Sequence, residues 1–376
     1  MPDMLTDASS QLMSRPSDEH FASFSDLRDA AVYDKQHSKE VNVRSHDLEV
    51  MPHGNTLRVG NRRGTSGATY EFSQFAFSKL CTMAGAPKSF LLEKLTPQTA
   101  ANAINESLRR STNDDIQLLL GSVTDSDGGH SDTKLRAITS QKYCRVWDAE
   151  LLHEVNEWLL PNGFRPALPT INTNAQQENI MGNNKPCLFR GDRNSFAFFM
   201  TDKVDEGHGG RPVRRGLLFG NSEVGNKAVT TKRFVFDDMC ANFLIWNAEA
   251  VESTRLVHRG DSSWKLLRKF RQELRQCSPE LVEVELEIMR QADKVLFADT
   301  KEDATKRLQK QFNLTKAFAE QTLQWAEHQE NDGLKFLSHA YIGNGVTSAA
   351  KVTGNADHLV EMATVGGDIF LAASES

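Results

Sequence analysis

The order of strand-like and helix-like segments constrains the fold of this chain more than any other feature. Between Ile116 and Phe236, short apolar runs alternate with polar, glycine-containing connections of the kind found in hairpins. From Trp264 onward, amphipathic helical patterns follow one another. Because the strands do not alternate strictly with helices, the pattern predicts an α+β protein. We expect an antiparallel sheet core flanked by helices, with a largely helical C-terminal third.

This pattern divides the chain into three regions. Residues 1–40 are polar, rich in Ser and Asp and weakly periodic, which predicts a mobile N-terminal tail with at most one short helix. Residues 41–275 contain the strand-like runs and are predicted to form the α+β core. Residues 276–376 are predicted to form a helical region. The 376 residues are enough to bury a large core.

Local signals predict several helix starts. Ser73 and Thr96 each precede an apolar-periodic run and are predicted N-caps. Pro97 follows Thr96 at a position where its missing N–H costs nothing. Asp148 is predicted to cap the helix AELLHEVNEWLL. Asp237 is predicted to begin a helix through DDMCANFLIWNAEA, because a carboxylate at a helix start is favoured by the helix dipole.

Composition indicates a soluble, cytoplasmic chain that does not enter a membrane. No run of about eighteen apolar residues occurs, and the first residues lack the basic start and apolar stretch of a secretory signal. The chain has five cysteines, an odd number, and no CxxC pair. This pattern predicts free thiols in a reducing compartment. They are Cys81, Cys144, Cys187, Cys240 and Cys277.

Catalytic motifs give little support to an enzyme. The chain has no GxSxG turn, no HExxH helix and no GxxxxGK[ST] phosphate loop. The HRGD segment could supply an acid–base group and an anion contact through His258, Arg259 and Asp261, with Glu223 as a further carboxylate. These four residues are weak catalytic candidates. No metal ligands and no cofactor are predicted.

Charge is distributed unevenly along the chain. The formal net charge is -6, yet residues 210–275 carry thirteen Lys and Arg against seven Asp and Glu, so the remainder carries -12. This asymmetry predicts an anion-facing surface. Basic residues neutralise phosphates, and the phenylalanines interleaved with them would suit unpaired bases. The predicted nucleic-acid contacts are Arg214, Arg215, Lys227, Lys232 and Arg233 in one row, and Lys265, Arg268 and Lys269 in a second.

Four segments together resemble the DUF932 family of phage- and plasmid-associated proteins of unknown function. The turn in RRGLLFGNSEVGNK matches the family's SNSEVG turn, DDMCANF matches its Cys-x-Asn helix, and HRGD matches its later His-Arg segment. LRAITSQKY matches the family's Arg-Ala-x-x-Ser-x-x-Tyr segment. The matching residues are Asn221, Ser222, Glu223, Val224 and Gly225 in the turn, Cys240 and Asn242 after it, and Arg136, Ala137, Ser140 and Tyr143 before it.

The resemblance runs from about Phe72 to Leu274 and implies a mobile-element context of replication, recombination or host conflict, without implying a reaction. Our leading hypothesis is a non-enzymatic protein that binds or anneals single-stranded DNA, working as a homo-oligomer that multiplies weak contacts. One alternative is a phosphate-directed enzyme acting on a nucleotide or nucleic acid. Another is a protein-interaction factor that modulates a host system.

Overall fold

The chain folds into two β-sheets surrounded by helices. This architecture confirms the predicted α+β class, the antiparallel sheets and the helical C-terminal region. The structure is a computed structural model, and it describes residues 19–54, 56–62, 68–125, 127–130, 132–167, 187–207, 210–237, 242–245, 254–258, 262–281, 283–328, 334–351 and 356–374.

The first sheet has six strands in the order β1-β5-β6-β4-β3-β2, and every neighbouring pair is antiparallel except β4 with β6. Three helices, α2 to α4, share a hydrophobic core with it. The strands are β1 (Lys39–Arg44), β2 (Leu48–His53), β3 (Thr56–Asn61), β4 (Tyr70–Phe72), β5 (Asp115–Gly121) and β6 (Lys134–Ser140). The helices are α2 (Gln74–Met83), α3 (Lys88–Glu93) and α4 (Pro97–Arg110).

Residues 19–40 are a packed part of the fold, so the predicted tail is wrong for this stretch. Helix α1 (Phe24–Gln36) begins after Ser23, whose Oγ accepts a hydrogen bond from the Asp26 N–H. Its buried face consists of Leu27, two alanines and the carboxylate of Asp34. A helix face with one large apolar side chain gives a weak hydrophobic pattern in the sequence. For this reason the helix could not be predicted from hydrophobic periodicity. Residues 1–18 lie outside the described part.

The second sheet has eight described strands, with a central path β13-β12-β11-β9-β7. β8 pairs with β9, β10 with β11, and β14 with β12. All its pairs are antiparallel. The strands are β7 (Phe164–Pro166), β8 (Leu188–Arg190), β9 (Ser195–Thr201), β10 (Asp205–Glu206), β11 (Pro212–Asn221), β12 (Val229–Asp237), β13 (Asn242–Ile245) and β14 (Thr254–Leu256).

Both faces of the second sheet are covered. Alternate residues such as Phe199 and Phe219 pack in one cluster with α1, α5 and α6. The intervening residues, such as Phe198 and Phe234, pack with the C-terminal helices. The predicted region 276–376 is therefore joined to the second sheet by a shared core. The helices are α5 (Asp148–Glu154), α6 (Ser263–Gln276), α7 (Glu283–Lys294), α8 (Lys301–Gln311), α9 (Lys316–His328), α10 (His339–Lys351) and α11 (Ala356–Ala372).

Two predicted N-caps are confirmed, a third is wrong, and one predicted helix start is wrong. Ser73 Oγ accepts from the Ala76 N–H, and Thr96 Oγ1 accepts from the Thr99 N–H. Asp148 is the first residue of its helix, and Trp147 occupies the N-cap position. The Asp148 carboxylate therefore does not cap this helix. Asp237 ends β12, where Arg211 donates to both of its carboxylate oxygens at 2.9 and 3.2 Å. Asn242, expected on a helix, begins β13.

No helix among the described residues combines the length and apolar character that a membrane crossing requires.

Candidate functional site

Helix α6 presents a basic surface because its apolar residues recur on one side. Leu266, Phe270 and Leu274 are spaced four residues apart, are buried, and pack against the second sheet. The opposite side is exposed to solvent over most of its length. The predicted residues Lys265, Arg268 and Lys269 all lie on that exposed side. The structure therefore brings the whole second row of the predicted nucleic-acid surface together.

One stripe of this exposed side combines arginine with tryptophan. Trp264, Arg268 and Arg275 fall at i, i+4 and i+11, so a helix places them along one line. Trp264 is 62% exposed, and the Arg268 guanidinium lies over its ring at 5.7 Å from the centroid. The Arg275 guanidinium lies 3.6 Å from the centroid of the half-buried Trp158 ring. An exposed tryptophan held by arginine offers a flat apolar surface inside a positive field.

A second stripe, Lys265 and Lys269, runs beside the first at i and i+4. Arg271 is differently placed, because its Nε and Nη2 donate to the two carboxylate oxygens of Glu154 at 2.6 and 2.5 Å. This ion pair fixes α6 against α5. We use the name basic face for Trp264, Lys265, Arg268, Lys269 and Arg275.

The first row of predicted contacts does not assemble into a groove. Arg215 is fully buried, where it pairs with Glu285 and donates to the carbonyls of Ser278 and Glu280. Arg233 is also buried, at 8% exposure. Neither side chain is placed to contact a phosphate in solvent, so these two assignments are wrong.

The other members of the first row are separated from the basic face. Arg214 pairs across strands with Phe236, and Lys232 pairs with Leu218, which puts both on the sheet face covered by the C-terminal helices. Arg214 donates to the Asp202 carbonyl. Burial lowers the pKa of Lys232, although nearby Asp368 opposes the shift. Lys227 is exposed in the β11–β12 turn. The two predicted rows therefore do not form one continuous surface.

The residues of the family-like turn meet instead in a buried cluster of charges. Glu223 Oε2 accepts from Arg136 Nη2 at 3.1 Å and lies 3.5 Å from Arg190 Nη2. Arg190 Nε also donates to Asp148 Oδ2 at 3.1 Å, and its Nη1 pairs with Asp34. These five side chains are all at most 5% exposed. We call them the charge cluster.

Neighbouring groups complete the hydrogen bonding of the charge cluster. The Asp148 N–H donates to Glu223 Oε1 at 3.0 Å. Ser195 Oγ and Asn221 Nδ2 donate to Asp148 Oδ1 at 2.7 and 2.8 Å. Thr124 Oγ1 donates to Asp34 Oδ1 at 2.6 Å. The cluster therefore joins the first sheet, α1, α5 and the second sheet.

The two central carboxylates have pKa shifts of opposite sign. Burial raises the pKa of Asp148, and the adjacent negative charge of Glu223 adds to the rise. Burial also acts to raise the pKa of Glu223, but the Arg190 and Arg136 guanidiniums outweigh it and hold that pKa below its usual value. Glu223 is therefore the ionised partner of the arginines, and Asp148 is the carboxylate that takes up a proton first.

The remaining motif residues support the turn. Tyr143 Oη donates to the Ser222 carbonyl at 2.8 Å, and the Tyr143 N–H donates to the Ser140 carbonyl at 2.9 Å. Gly225 has a φ of 90°, a conformation that favours glycine. His258 is buried, its Nδ1 donates to the Cys144 carbonyl at 2.9 Å, and burial lowers its pKa. Arg259, Asp261, Cys240 and the helix prediction at 246–250 lie outside the described residues.

Sequence reasoning missed Asp34, Asp148 and Arg190 as members of a site. No local sequence pattern marks these residues, because each one binds a partner on another segment of the chain. Within the described ranges, no three His, Cys, Asp or Glu side chains are arranged to hold a metal ion.

Comparison with known proteins gives no relative for this chain. No family model, no curated protein and no solved structure matches it. The resemblance to the DUF932 family therefore stays a prediction.

Proposed function

We propose that the protein binds single-stranded nucleic acid without catalysing a reaction, and that the basic face of α6 is its contact surface. The observation that carries this proposal is the exposed Trp264 ring beneath the Arg268 guanidinium, set alongside a lysine stripe. An unpaired base is a flat partner for an exposed aromatic ring, and stacking on it contributes affinity with little sequence preference.

The geometry assigns different tasks to the two stripes. Lys265 and Lys269 neutralise backbone phosphates and release counterions, which gives salt-dependent affinity without sequence preference. Trp264 stacks on an unpaired base, while Arg268 holds the ring and adds a cation–π contribution. Paired bases inside a duplex do not offer a free face, so this arrangement favours single strands. An annealing activity would require several copies arranged along a strand.

The test is a salt titration of binding to a fluorescent oligothymidine, with the corresponding duplex in parallel. We compare wild type with the triple variant Lys265→Ala, Arg268→Ala, Lys269→Ala. Loss of the two lysine–phosphate contacts should lower the log–log salt slope for the single strand by about 1.4, and loss of Arg268, which holds the tryptophan ring, should weaken binding in addition. Trp264→Ala should weaken binding by about 1–3 kcal/mol while leaving the slope unchanged.

The matched control removes the same charge from another exposed surface, through Lys306→Ala, Lys310→Ala and Lys316→Ala on α8 and α9. This control should keep the wild-type slope. Equal losses in both triple variants would show a general charge effect and overturn the assignment to α6. Absence of binding at low salt would overturn the proposal itself and favour the protein-interaction alternative.

The proposed function also has a biological context, a cellular compartment and an oligomeric state. The three turn residues Asn221, Ser222 and Glu223 that match the DUF932 pattern support a mobile-element protein acting in replication or recombination. The buried cysteines Cys81 and Cys187 suit a reducing, cytoplasmic compartment. A homo-oligomer would multiply the contacts of a short basic face.

The enzyme alternative gains no specific support from the described residues. Glu223 is held by Arg136 and by the Asp148 N–H, so its oxygens already accept hydrogen bonds. His258 is buried and its Nδ1 is bonded to a backbone carbonyl.

A further inference from the structure

A cleft of about 470 Å³ lies between the two sheets, within the size range of small-molecule sites. Its walls come from Glu19, before α1, and from three further places. One is the start of α2, with Phe72 and Gln74; another is the β5–β6 hairpin, which ends at Lys134; the third is the β8–β9 turn, from Arg190 to Asp192. The cleft borders the charge cluster, because Arg136 and Arg190 belong to both.

The guanidinium of Arg136 has N–H groups at this cleft that donate no hydrogen bond within the described part of the chain. Its side chain is 2% exposed, and Nη2 donates to Glu223. Its Nε and Nη1 have no hydrogen-bond acceptor within the described part of the chain. Asp192 Oδ1 is 3.6 Å from Nε, which is too long for a hydrogen bond. Buried donors without acceptors cost free energy, and ligand oxygens would remove that cost.

Positive groups surround the same space. Lys134 lies two residues before Arg136 on β6, both residues line the cleft, and Lys134 is half-buried. The ten-residue helix α2 begins at the cleft wall, and its N-terminus carries the positive end of the helix dipole. A buried guanidinium, an ammonium group and a helix N-terminus together fit a phosphate.

Acidic side chains line the same cleft. Glu19, Asp125 and Asp192 are among its wall residues. Asp125 Oδ1 already accepts from the Asp127 and Gly129 N–H groups, at 3.1 and 2.6 Å. Asp192 is about one-third exposed and faces the unused Nε of Arg136, so its carboxylate competes with an incoming anion.

We propose that this cleft binds a small phosphate-bearing ligand, whose phosphate accepts hydrogen bonds from Arg136 and Lys134 at the start of α2. The site is independent of the basic face, since none of its residues lies on α6. The half-buried ring of Phe72 gives the cleft an apolar wall for the remainder of the ligand.

The experiment is calorimetric titration of the full chain with inorganic phosphate, pyrophosphate and AMP, and with succinate as a carboxylate probe. Lys134→Glu should weaken phosphate binding by more than about tenfold, the value of one charge-assisted contact. Asp192→Asn should strengthen it, because a competing carboxylate is removed. A purely structural role of these residues predicts no gain in Asp192→Asn.

The matched control is Lys142→Glu, an equal charge change at an exposed position beyond the other end of β6. It should leave phosphate affinity within about twofold of wild type. Equal weakening by Lys134→Glu and Lys142→Glu would overturn the site. Absence of saturable binding by every phosphate probe, or tighter binding of succinate than of phosphate, would overturn it as well. Circular dichroism of each variant confirms that it is folded.

Discussion

Glu223→Ala is expected to cost the protein a large part of its stability. The change removes the acceptor of Arg136 Nη2 at 3.1 Å and of the Asp148 N–H at 3.0 Å. It also removes a charge 3.5 Å from Arg190 Nη2. Because Glu223 and both arginines are at most 2% exposed, the polar groups left behind would remain largely shielded from bulk water. Removing one member of such a buried pair costs about 3–5 kcal/mol.

Glu223→Gln separates the contribution of charge from that of shape. Its amide oxygen keeps one acceptor in place, but the negative charge between the two guanidiniums is lost. We expect an intermediate loss of about 1–3 kcal/mol. Glu93→Ala, at an exposed position on α3, is the control and should stay within about 0.5 kcal/mol of wild type.

The assay is urea unfolding followed by far-UV circular dichroism and by tryptophan fluorescence, with the free energy of unfolding obtained by linear extrapolation. Coincident transitions from the two probes establish that a single free energy applies. A loss of about 3–5 kcal/mol is a large share of a typical total of about 5–15 kcal/mol. If Glu223→Ala unfolds at the same urea concentration as Glu93→Ala, the charge cluster does not stabilise the fold.

Three further outcomes are expected. Burial lowers the pKa of His339 below 6.5 and outweighs the hydrogen bond from its Nδ1 to the Val295 carbonyl, which acts to raise that pKa, so the unfolded chain takes up this proton first as pH falls. Stability should therefore decline as pH falls through about 6.5, and urea unfolding across pH should show a shallower decline in His339→Asn; an unchanged slope would contradict this. Gly225→Ala should cost about 1–2 kcal/mol, because its φ of 90° is a backbone conformation that residues with a Cβ rarely adopt. Unfolding compared with Asn226→Ala checks this, and equal stabilities would refute it. Brief maleimide labelling with mass mapping should modify three buried thiols only after unfolding. These thiols belong to Cys81, whose pKa is raised by burial, Cys187 and Cys277. Rapid labelling of these thiols in the folded chain would contradict their burial.

Local features of the fold were predictable because their cause is local. Ser73 and Thr96 cap helices through atoms three residues away, so a short window of sequence contains the whole signal. Asp237 shows the limit of the same argument. A carboxylate before an apolar run suggests a helix start, but the partner of Asp237 is Arg211, which lies 26 residues away, just before β11. Sequence spacing does not reveal that pairing.

The candidate surface was predictable for the same reason, and only in part. Helical periodicity shows which side of α6 is apolar, so the exposure of Lys265 and Lys269 follows from the sequence. Strand periodicity shows only that two faces differ. It does not show that both faces of the second sheet are covered, which is why Arg215 and Lys232 were placed in one row. Arg190 pairs with Asp34 across 156 residues, and no local pattern marks either of them.

The charge cluster also limits where the chain can be truncated. A fragment of residues 41–275 would keep Arg190 but lose Asp34, one of its buried partners. The same fragment would uncover Phe198 and Phe234, which share a core with the C-terminal helices. We therefore expect a fragment that folds on its own to need both α1 and α11. Truncation experiments should leave both helices intact and remove at most residues 1–18 from the N-terminal side.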